Sequence, residues 1–504
     1  MIQTKKNINI NPTLLTNLTF GFFPISFIFG NLITNINIVL FCFLGIYQLR
    51  SKILTTKFNL PLKGIFLFFL VVFASTALSF IRALYLEEYE AYDSVKLTKS
   101  IFFLRFFLLL LIAYYLSKFN ILNFKYFLIS AACAPVFISL DIIYQYIFKF
   151  NIIGLKSLGV YNTSFFGDEY IAGGYIKNFF LFSIIFLFFT FKNRLGFLLN
   201  ILMICILGLG ILFSGNRMPL ILFFLGLFLL FLFSRKLKPM LLVSFLSLFL
   251  IFGIIGSFDE KIKNKYISYR DNVAFILSSY VNLSEKLFPI DRKMVHKTVE
   301  KLNEEEFIAS GELDINLENY PTYSKYPIGD EFRGFLYPPK WEKGEPLADD
   351  FEFFWVIQYE VDDHLKIFYT ALDIWGNNKI FGNGIKSFRD ECKKFLIHVE
   401  NRLCSTHPHN YYLEILTDIG IIGIIVTLII GILFVLFIIR NFKSIRENNI
   451  ESSILLVSTI TMILEVFPIK STGSIFTTSN ATYLVLIASI LLSYNNLSID
   501  KKFR

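Results

Sequence analysis

The chain has 504 residues, of which 55% are hydrophobic, and its mean hydropathy of +0.59 excludes an ordinary soluble protein. The formal net charge of +9 is unevenly divided. Residues 257–409 contain 26 acidic and 20 basic side chains, a net charge of −6, which leaves +15 on the remainder. We therefore attribute the basic excess to loops that anchor the chain at a membrane, and we expect a lipid bilayer but no nucleic acid as a partner.

Apolar segments close to the ~20 residues that cross a hydrocarbon core recur along the chain. The sequence predicts an all-α polytopic membrane protein with about twelve transmembrane helices: nine in residues 1–256 and three in residues 410–504. One large loop, 257–409, lies between the two groups. The twelve segments are 17–31, 35–49, 64–81, 100–117, 126–147, 174–191, 195–213, 218–234, 239–256, 411–439, 452–469 and 481–494.

Basic residues predict the orientation. If the N-terminus is cytoplasmic, 19 basic residues fall in cytoplasmic segments and 7 fall in the short loops of the other side. This positive-inside bias predicts that both termini are cytoplasmic, that the number of spans is even, and that the 257–409 loop is outside the cytoplasm.

The large loop is predicted to be mainly helical. Residues 285–306 combine mixed charge with apolar spacing and predict an amphipathic helix. Residues 310–350 are rich in proline and glycine and predict irregular chain. The apolar spacing of 360–377 predicts a helix that ends at Gly376 and Asn377.

The sequence His407-Pro408-His409-Asn410 leads directly into a predicted span. All five histidines lie between residues 257 and 409, and histidine is the side chain best suited to transfer a proton near neutral pH. The alternative is that both imidazoles are polar interface residues that cap a helix. Further along, Gly420 and Gly423 predict the close approach of another helix.

Arginines on the outer side are candidate phosphate ligands. Arg217 lies in the short turn between two predicted spans, against the positive-inside bias. It either reaches lipid headgroups or offers a planar guanidinium to a phosphate. Arg389 follows the glycine turn 381–384 and is either a second phosphate ligand or a solvated charge.

Acidic residues precede another span on the same side. Asp168 and Glu169 lie in the glycine-containing stretch 166–174, where they could orient a sugar or balance an arginine. A simple turn before a helix is an equal alternative.

The cysteines fall into two groups. Cys42, Cys133 and Cys205 lie in apolar segments and are expected to be packing residues. Cys392 and Cys404 lie twelve positions apart in the outer loop, where an oxidising environment would allow a disulfide; the sequence leaves open whether it forms. Neither a Cys/His metal-ligand spacing nor a phosphate-binding P-loop is present in the sequence.

Together these motifs resemble the O-antigen ligase and polymerase superfamily. The family motif is His-[Asn/Ser/Gln]-x9-Gly-x2-[Gly/Thr/Tyr], which His409, Asn410, Gly420 and Gly423 match. The turn 214–218 is similar to the family's arginine turn, and 381–392 resembles the segment before the catalytic histidine. The match at 166–174 is looser, and 280–360 matches nothing in the family.

The resemblance implies a glycosyltransferase C-like fold and a metal-independent, inverting transfer that needs no cofactor. The implied donor is a glycan on undecaprenyl diphosphate, and the acceptor is lipid A-core for a ligase or another glycan for a polymerase. His409 would be the general base, Arg217 and Arg389 would bind the diphosphate, and the remaining motif residues would support them: His407, Asn410, Asp168 and Glu169. The implied location is the inner membrane of a Gram-negative bacterium, with the site facing the periplasm.

Other functions remain open. A ligase and a polymerase need the same residues, and the completeness of the motif favours a ligase; some family members instead glycosylate proteins. A polysaccharide flippase or transporter would also have many spans, but it would more often bury charges within them. The sequence predicts nearly uncharged spans, with Arg105 and Asp141 as the main exceptions, and so favours an enzyme. A purely structural scaffold is the third alternative.

Overall fold

The computed structural model describes residues 11–55, 58–86, 91–259, 263, 363–395, 402–447, 449–468, 470–471 and 473–494. The chain divides into two units, 1–266 with 362–504 and 267–361, and the described residues belong to the first. The predicted amphipathic helix at 285–306 and the predicted irregular chain at 310–350 therefore lie outside the described residues.

The described residues form α-helices and contain no β-strand beyond two isolated bridges within 150–161. The helices are α1 (Pro12–Ser26), α2 (Asn31–Leu49), α3 (Lys52–Thr55), α4 (Leu60–Tyr85), α5 (Ala91–Lys118), α6 (Lys125–Phe148), α7 (Ala172–Thr190), α8 (Arg194–Phe213), α9 (Arg217–Phe233), α10 (Lys238–Phe258), α11 (Asp363–Asn377), α12 (Phe388–Phe395), α13 (Tyr411–Arg440), α14 (Phe442–Ile445), α15 (Ile450–Glu465) and α16 (Thr478–Leu492). The helix predicted at 360–377 is confirmed as α11, which ends at Asn377 as expected.

Eight of the described helices are long and apolar enough to cross a membrane: α2, α4, α5, α6, α7, α8, α10 and α13. Helices α9 and α16 are apolar but shorter, and α1 and α15 have 15 and 16 residues. The chain is therefore a polytopic helical membrane protein. Each of the twelve predicted apolar segments coincides with one of these helices, and a total of twelve spans remains a prediction.

Consecutive long helices alternate in direction, so their ends meet at two faces. At one face, Ser479 donates a hydrogen bond of 3.0 Å to Asn31, and the Tyr175 hydroxyl donates one of 2.8 Å to the Pro24 carbonyl. We call this the site face; it contains the first turns of α2, α7, α13 and α16 and the last turns of α1, α8 and α15. At the opposite face, the Asn59 amide donates to the Tyr114 hydroxyl at 3.3 Å.

The opposite face collects basic residues that the charge count assigns to the cytoplasm. Lys192, Arg194 and Lys236 line one cavity there together with Asn449 and Tyr494. Separate loops, far apart in sequence, therefore bring their cations to one side of the helix bundle. This grouping is the arrangement that the positive-inside bias requires.

Helix α13 is broken at Gly420, where φ is +71° and ψ is −163°. The segment 379–384 fills the break: the Asn383 amide donates to the Thr417 carbonyl at 3.0 Å, and the Ile421 amide donates to the Lys379 carbonyl at 2.9 Å. The prediction that Gly420 admits another helix was wrong. It admits the backbone of the 379–384 loop instead, because a Cβ at Gly420 would collide with the Ile380 carbonyl. Irregular backbone within a membrane helix requires such internal partners.

Candidate functional site

Asn410 fixes the backbone around His409. Its side-chain oxygen accepts hydrogen bonds from the amides of Tyr412 at 2.9 Å and Leu413 at 3.2 Å, so Asn410 caps the start of α13. Its amide nitrogen donates to the Pro468 carbonyl at 2.7 Å. His409 adopts the left-handed conformation, with φ of +56°, which is uncommon for a residue with a side chain. The cap and the Pro468 contact hold this turn in place.

The two imidazoles of the motif lie side by side. Their ring centroids are 4.2 Å apart, and both rings are partly exposed. Nε2 of His409 is 3.2 Å from the Ser405 hydroxyl, and Nδ1 of His407 is 2.9 Å from the Thr406 hydroxyl. The structure therefore gives both rings polar partners and keeps both accessible, as proton transfer between an imidazole and a substrate would require.

Cys392 and Cys404 are joined by a disulfide in the structure, with their Cα atoms 5.6 Å apart. The Cys392 sulfur lies 3.9 Å from the carbonyl of Ser405, whose hydroxyl contacts His409. Cys392 is one turn after Arg389 on α12. The bridge thus ties the Arg389 helix to the segment that positions His409.

Two lysines share one buried carboxylate beside this segment. Glu465 lies 2.6 Å from the amine of Lys177 and 2.7 Å from that of Lys470, and it also accepts a 2.7 Å hydrogen bond from the Tyr411 hydroxyl. Burial lowers the pKa of Lys470 to about 7; the charge of Lys177 adds to this effect, while Glu465 opposes it. The network connects α7, α13 and α15 directly behind His409.

Cations gather where the 379–387 segment meets α5. Lys386 is half-buried, and its backbone has φ of +58°. Burial lowers the pKa of Lys386, the charges of Arg389 and Lys99 lower it further, and Glu414 and Asp418 oppose the shift. Nε of Arg389 is buried and has no hydrogen-bond partner in the structure. Like charges held this close favour binding of an anion between them.

Arg217 is placed by a different group of helices. It is the first residue of α9, which packs against α7 and α15, whereas Arg389 lies on α12, which packs against α11 and α13. The side chain of the preceding Asn216 accepts from the Gly173 amide at 3.3 Å and donates to the Tyr170 carbonyl at 2.8 Å. Gly173 is one turn before Lys177, so the Arg217 turn reaches the His409 segment through α7 and Glu465.

Asp168 and Glu169 have exposed side chains in the loop between α6 and α7. Asp141 of α6 fixes this loop, because its carboxylate accepts hydrogen bonds from the Ile152 amide and the Ser164 hydroxyl. Asp141 therefore has a structural role. Asp168 and Glu169 remain available to solvent or substrate.

The expectation of nearly uncharged spans was wrong. Lys177, Glu414, Asp418 and Glu465 are all buried within helices of the bundle. The sequence offered a signal, because Lys177 and Glu465 are the single charges of their predicted spans and have opposite signs. Lys177 is the sixth residue of α7, so it lies only about 8 Å along the helix axis from the first residue, at ~1.5 Å per residue. These charges belong to the site face rather than to the middle of the bundle.

The comparisons with known proteins add no further assignment. No family model matches the chain, and no curated protein matches it. The described residues themselves provide three functional features: the paired imidazoles, the cations around Lys386 and the buried Glu465 network. The resemblance of its motifs to the O-antigen ligase superfamily remains a hypothesis.

Proposed function

We propose that this chain is a membrane glycosyltransferase that moves a glycan from undecaprenyl diphosphate to a lipid A-core acceptor, as an O-antigen ligase does. The observation that supports this best is the linkage of an accessible imidazole to a cationic cluster at one end of α13. The disulfide between Cys392 and Cys404 connects the Arg389 helix to the His409 segment. The backbone amide of Lys386 donates a hydrogen bond to Asp418, which lies on α13. A base next to a diphosphate-binding cluster is the minimum that this reaction needs.

In the proposed reaction, an acceptor hydroxyl oxygen attacks the anomeric carbon of the donor glycan. The new carbon–oxygen bond forms as the bond to the diphosphate oxygen breaks, which inverts the anomeric centre. His409 takes the hydroxyl proton, and undecaprenyl diphosphate leaves with the bonding electron pair. The donor is already activated by its diphosphate, so the reaction needs no nucleotide and no cofactor.

The cations stabilise the leaving group. Negative charge builds on the diphosphate in the transition state, and preorganised cations in a partly dry site lower its free energy. Arg389 is linked to the His409 segment through the disulfide and Lys386 through Asp418 of α13, and Arg217 would contact the donor from the α7 side. His407 and Asn410 support the base, while Asp168 and Glu169 would orient sugar hydroxyls.

We place the site face at the periplasm and both termini in the cytoplasm of a bacterial inner membrane. The grouping of Lys192, Arg194 and Lys236 on the opposite face supports this orientation. A lipid-linked donor and a lipid-linked acceptor both present their sugars at a membrane surface, which suits a histidine at the start of a membrane helix.

A polymerase that joins repeat units on the same carrier is the second candidate, because it would use the same residues. The buried ion pair of Lys177 and Glu465 is a feature that a flippase or transporter would also have. That pair lies near one face and is bound to Tyr411, next to the motif. We therefore assign it to positioning of the site.

Purified variants in detergent test the proposal. His409→Ala should lower transfer by about 10²–10⁴-fold, the usual contribution of a general base, and leave donor binding nearly unchanged because proton removal belongs to the transition state. Arg217→Ala should weaken donor binding, and Arg217→Lys should not restore it, since a point charge lacks the planar fork. His407→Ala should retain more activity than His409→Ala. Lys156→Met, an exposed cation on the same face, is the control. Full transfer by His409→Ala would exclude it as the base.

The glycan profile of a deletion strain separates the two family reactions. Loss of all polysaccharide from lipid A-core indicates a ligase, whereas core that retains a single repeat unit indicates a polymerase.

A further inference from the structure

A second feature of the site face is a cavity lined by residues of α2 and α5, the start of α16 and the 379–387 segment. Its volume is about 390 Å³. The cavity is lined by both polar and apolar residues, namely Asn35, Lys99, Arg105, Lys386 and Thr478 with Val39, Phe102, Phe103, Phe106, Ile385 and Phe476. None of the motifs found in the sequence includes Asn35, Lys99 or Arg105.

The cavity has three cations and no carboxylate among its lining residues, although Asp390 acts on Lys99 and Glu414 and Asp418 act on Lys386 from outside it. Neither Lys99, Arg105 nor Lys386 forms a salt bridge with a carboxylate in the part of the chain that the structure describes. Arg105 and Lys386 are partly buried and Lys99 is exposed. Charged side chains in or beside membrane segments usually have a partner or mark a binding site. A net positive cavity of this kind favours an anion.

The terminal nitrogens of Arg105 have hydrogen-bond partners, but its Nε atom does not. Its two terminal nitrogens donate to the Phe102 carbonyl at 2.7 Å and the Thr478 hydroxyl at 3.3 Å, and its guanidinium lies 4.3 Å from the Phe106 ring centroid. Its Nε atom is buried and has no hydrogen-bond partner among the residues that the structure describes, and the same holds for Oδ1 of Asn35. Buried polar atoms without partners are uncommon and indicate a missing ligand atom or water.

The mouth of the cavity faces the surrounding lipid. Val39 is 64% exposed and Phe102 is 62% exposed, and they belong to the apolar outer surfaces of α2 and α5. A ligand that enters between these helices can therefore keep an apolar chain in the bilayer while its charged head reaches Lys99 and Arg105. A free anion from water would gain nothing from the Val39 and Phe102 side.

We propose that this cavity binds the phosphate or diphosphate head of a membrane-embedded lipid that enters from the bilayer between α2 and α5. Lys99, Lys386 and the fork of Arg105 would hold the phosphate oxygens, and the hydrocarbon chain would lie along Val39 and Phe102. The inference rests on the proposed function for its choice of lipid, the undecaprenyl diphosphate donor. Lys386 lines this cavity and also belongs to the cationic cluster with Arg389, so the cavity and the proposed diphosphate site share one cation.

Binding of labelled undecaprenyl diphosphate to the full-length chain in neutral-lipid nanodiscs tests the inference. Arg105→Met and Lys99→Met should each weaken binding about tenfold or more, the loss expected for a charge-assisted hydrogen bond. Val39→Trp should also weaken it by narrowing the mouth without changing any charge. Lys156→Met removes an exposed cation from the same face and should have no effect. Thermal unfolding of each variant confirms that it is folded.

Competition identifies the source of the anion. Weak displacement by phosphatidylglycerol and by inorganic diphosphate supports the assignment. Displacement by phosphatidylglycerol at equal concentration would show that the cavity binds a phospholipid and not the donor. Equally tight binding of inorganic diphosphate would overturn the proposal that the ligand enters from the bilayer. Unchanged binding in folded Arg105→Met, Lys99→Met and Val39→Trp would overturn the site. Transfer by His409→Ala is a separate measurement: normal transfer with intact lipid binding would reject the proposed base and leave the cavity assignment standing.

Discussion

The backbone amide of Lys386 donates a 2.6 Å hydrogen bond to Oδ2 of Asp418, and the Ser387 hydroxyl donates one of 2.7 Å to Oδ1 of the same carboxylate. Asp418 is fully buried on α13, two residues before the break at Gly420. One carboxylate therefore joins the broken membrane helix to the loop that presents Lys386. The geometry of the cationic cluster depends on this contact between the loop and α13.

Gly420→Ala should disrupt the contact between the broken helix α13 and the 379–384 loop. An alanine at φ of +71° is strained, and its Cβ would collide with the Ile380 carbonyl, so we expect a loss of stability of about 1–3 kcal/mol. Gly431→Ala on the same helix is the control, because a Cβ at Gly431 would meet nothing within 4 Å; there the change should be neutral or slightly stabilising. Thermal unfolding in detergent compares the two, and equal melting temperatures would contradict the role of the break.

Donor binding should weaken at alkaline pH. The pKa of Lys386 is lowered by burial and by the nearby charges of Arg389 and Lys99. Lys386 therefore loses its proton, and with it the charge that attracts a diphosphate, below the usual lysine value of about 10.4. Lys386→Arg should keep its affinity across the same pH range, since arginine remains protonated. Donor affinity measured against pH would show parallel curves for the two proteins if Lys386 does not contact the anion.

Glu465→Gln should be strongly destabilising. The substitution leaves Lys177 and Lys470 buried without their shared carboxylate, and breaking a buried ion pair from one side costs about 3–5 kcal/mol. Lys470→Met in the Glu465→Gln background should restore part of the loss, because one unpaired cation is removed. Glu447→Gln, an exposed residue on the opposite face, is the control. A thermal unfolding series of these variants would count against the network if the double variant were the least stable.

The loop disulfide should be present in protein exported to an oxidising compartment. Mass spectrometry of unreduced protein should recover the peptide that joins Cys392 to Cys404, and Cys392→Ser should lose roughly 2–4 kcal/mol of stability, the typical contribution of a short disulfide loop. Cys133→Ser changes an exposed cysteine outside the pair and should change little. Two separately alkylated thiols in the exported protein would exclude the bridge.

Reporter fusions should place the two faces on opposite sides of the membrane. A fusion after Tyr320 should give a periplasmic signal and one after Arg446 a cytoplasmic signal, because the basic residues of the α13–α14 region belong to the positive side. A fusion after Lys192 provides a second cytoplasmic reference. The same signal from residues 320 and 446 would reject the orientation and the proposed mechanism with it.

Local sequence determined the helices. Apolar segments such as 126–147 and 411–439 have enough length and hydrophobicity to define a membrane helix without help from the rest of the chain, and α6 and α13 coincide with them closely. The helix predicted at 360–377 was recognised from the helical spacing of its apolar residues instead. The His409-Asn410 motif was also visible, since a histidine beside a span is conspicuous in a chain with five histidines.

Tertiary structure alone decided which polar groups meet. Lys177 and Glu465 are 288 positions apart, and Lys386 lies in the predicted 257–409 loop whereas Asp418 lies in the predicted 411–439 span. The break at Gly420 was misread for the same reason, because a glycine that admits a loop and one that admits a helix look identical in sequence. Hydrophobic length is a local property that each span specifies for itself, whereas pairing of buried charges depends on how the helices pack against one another. Only the folded chain therefore shows that Asn35, Lys99 and Arg105 line one cavity with Lys386.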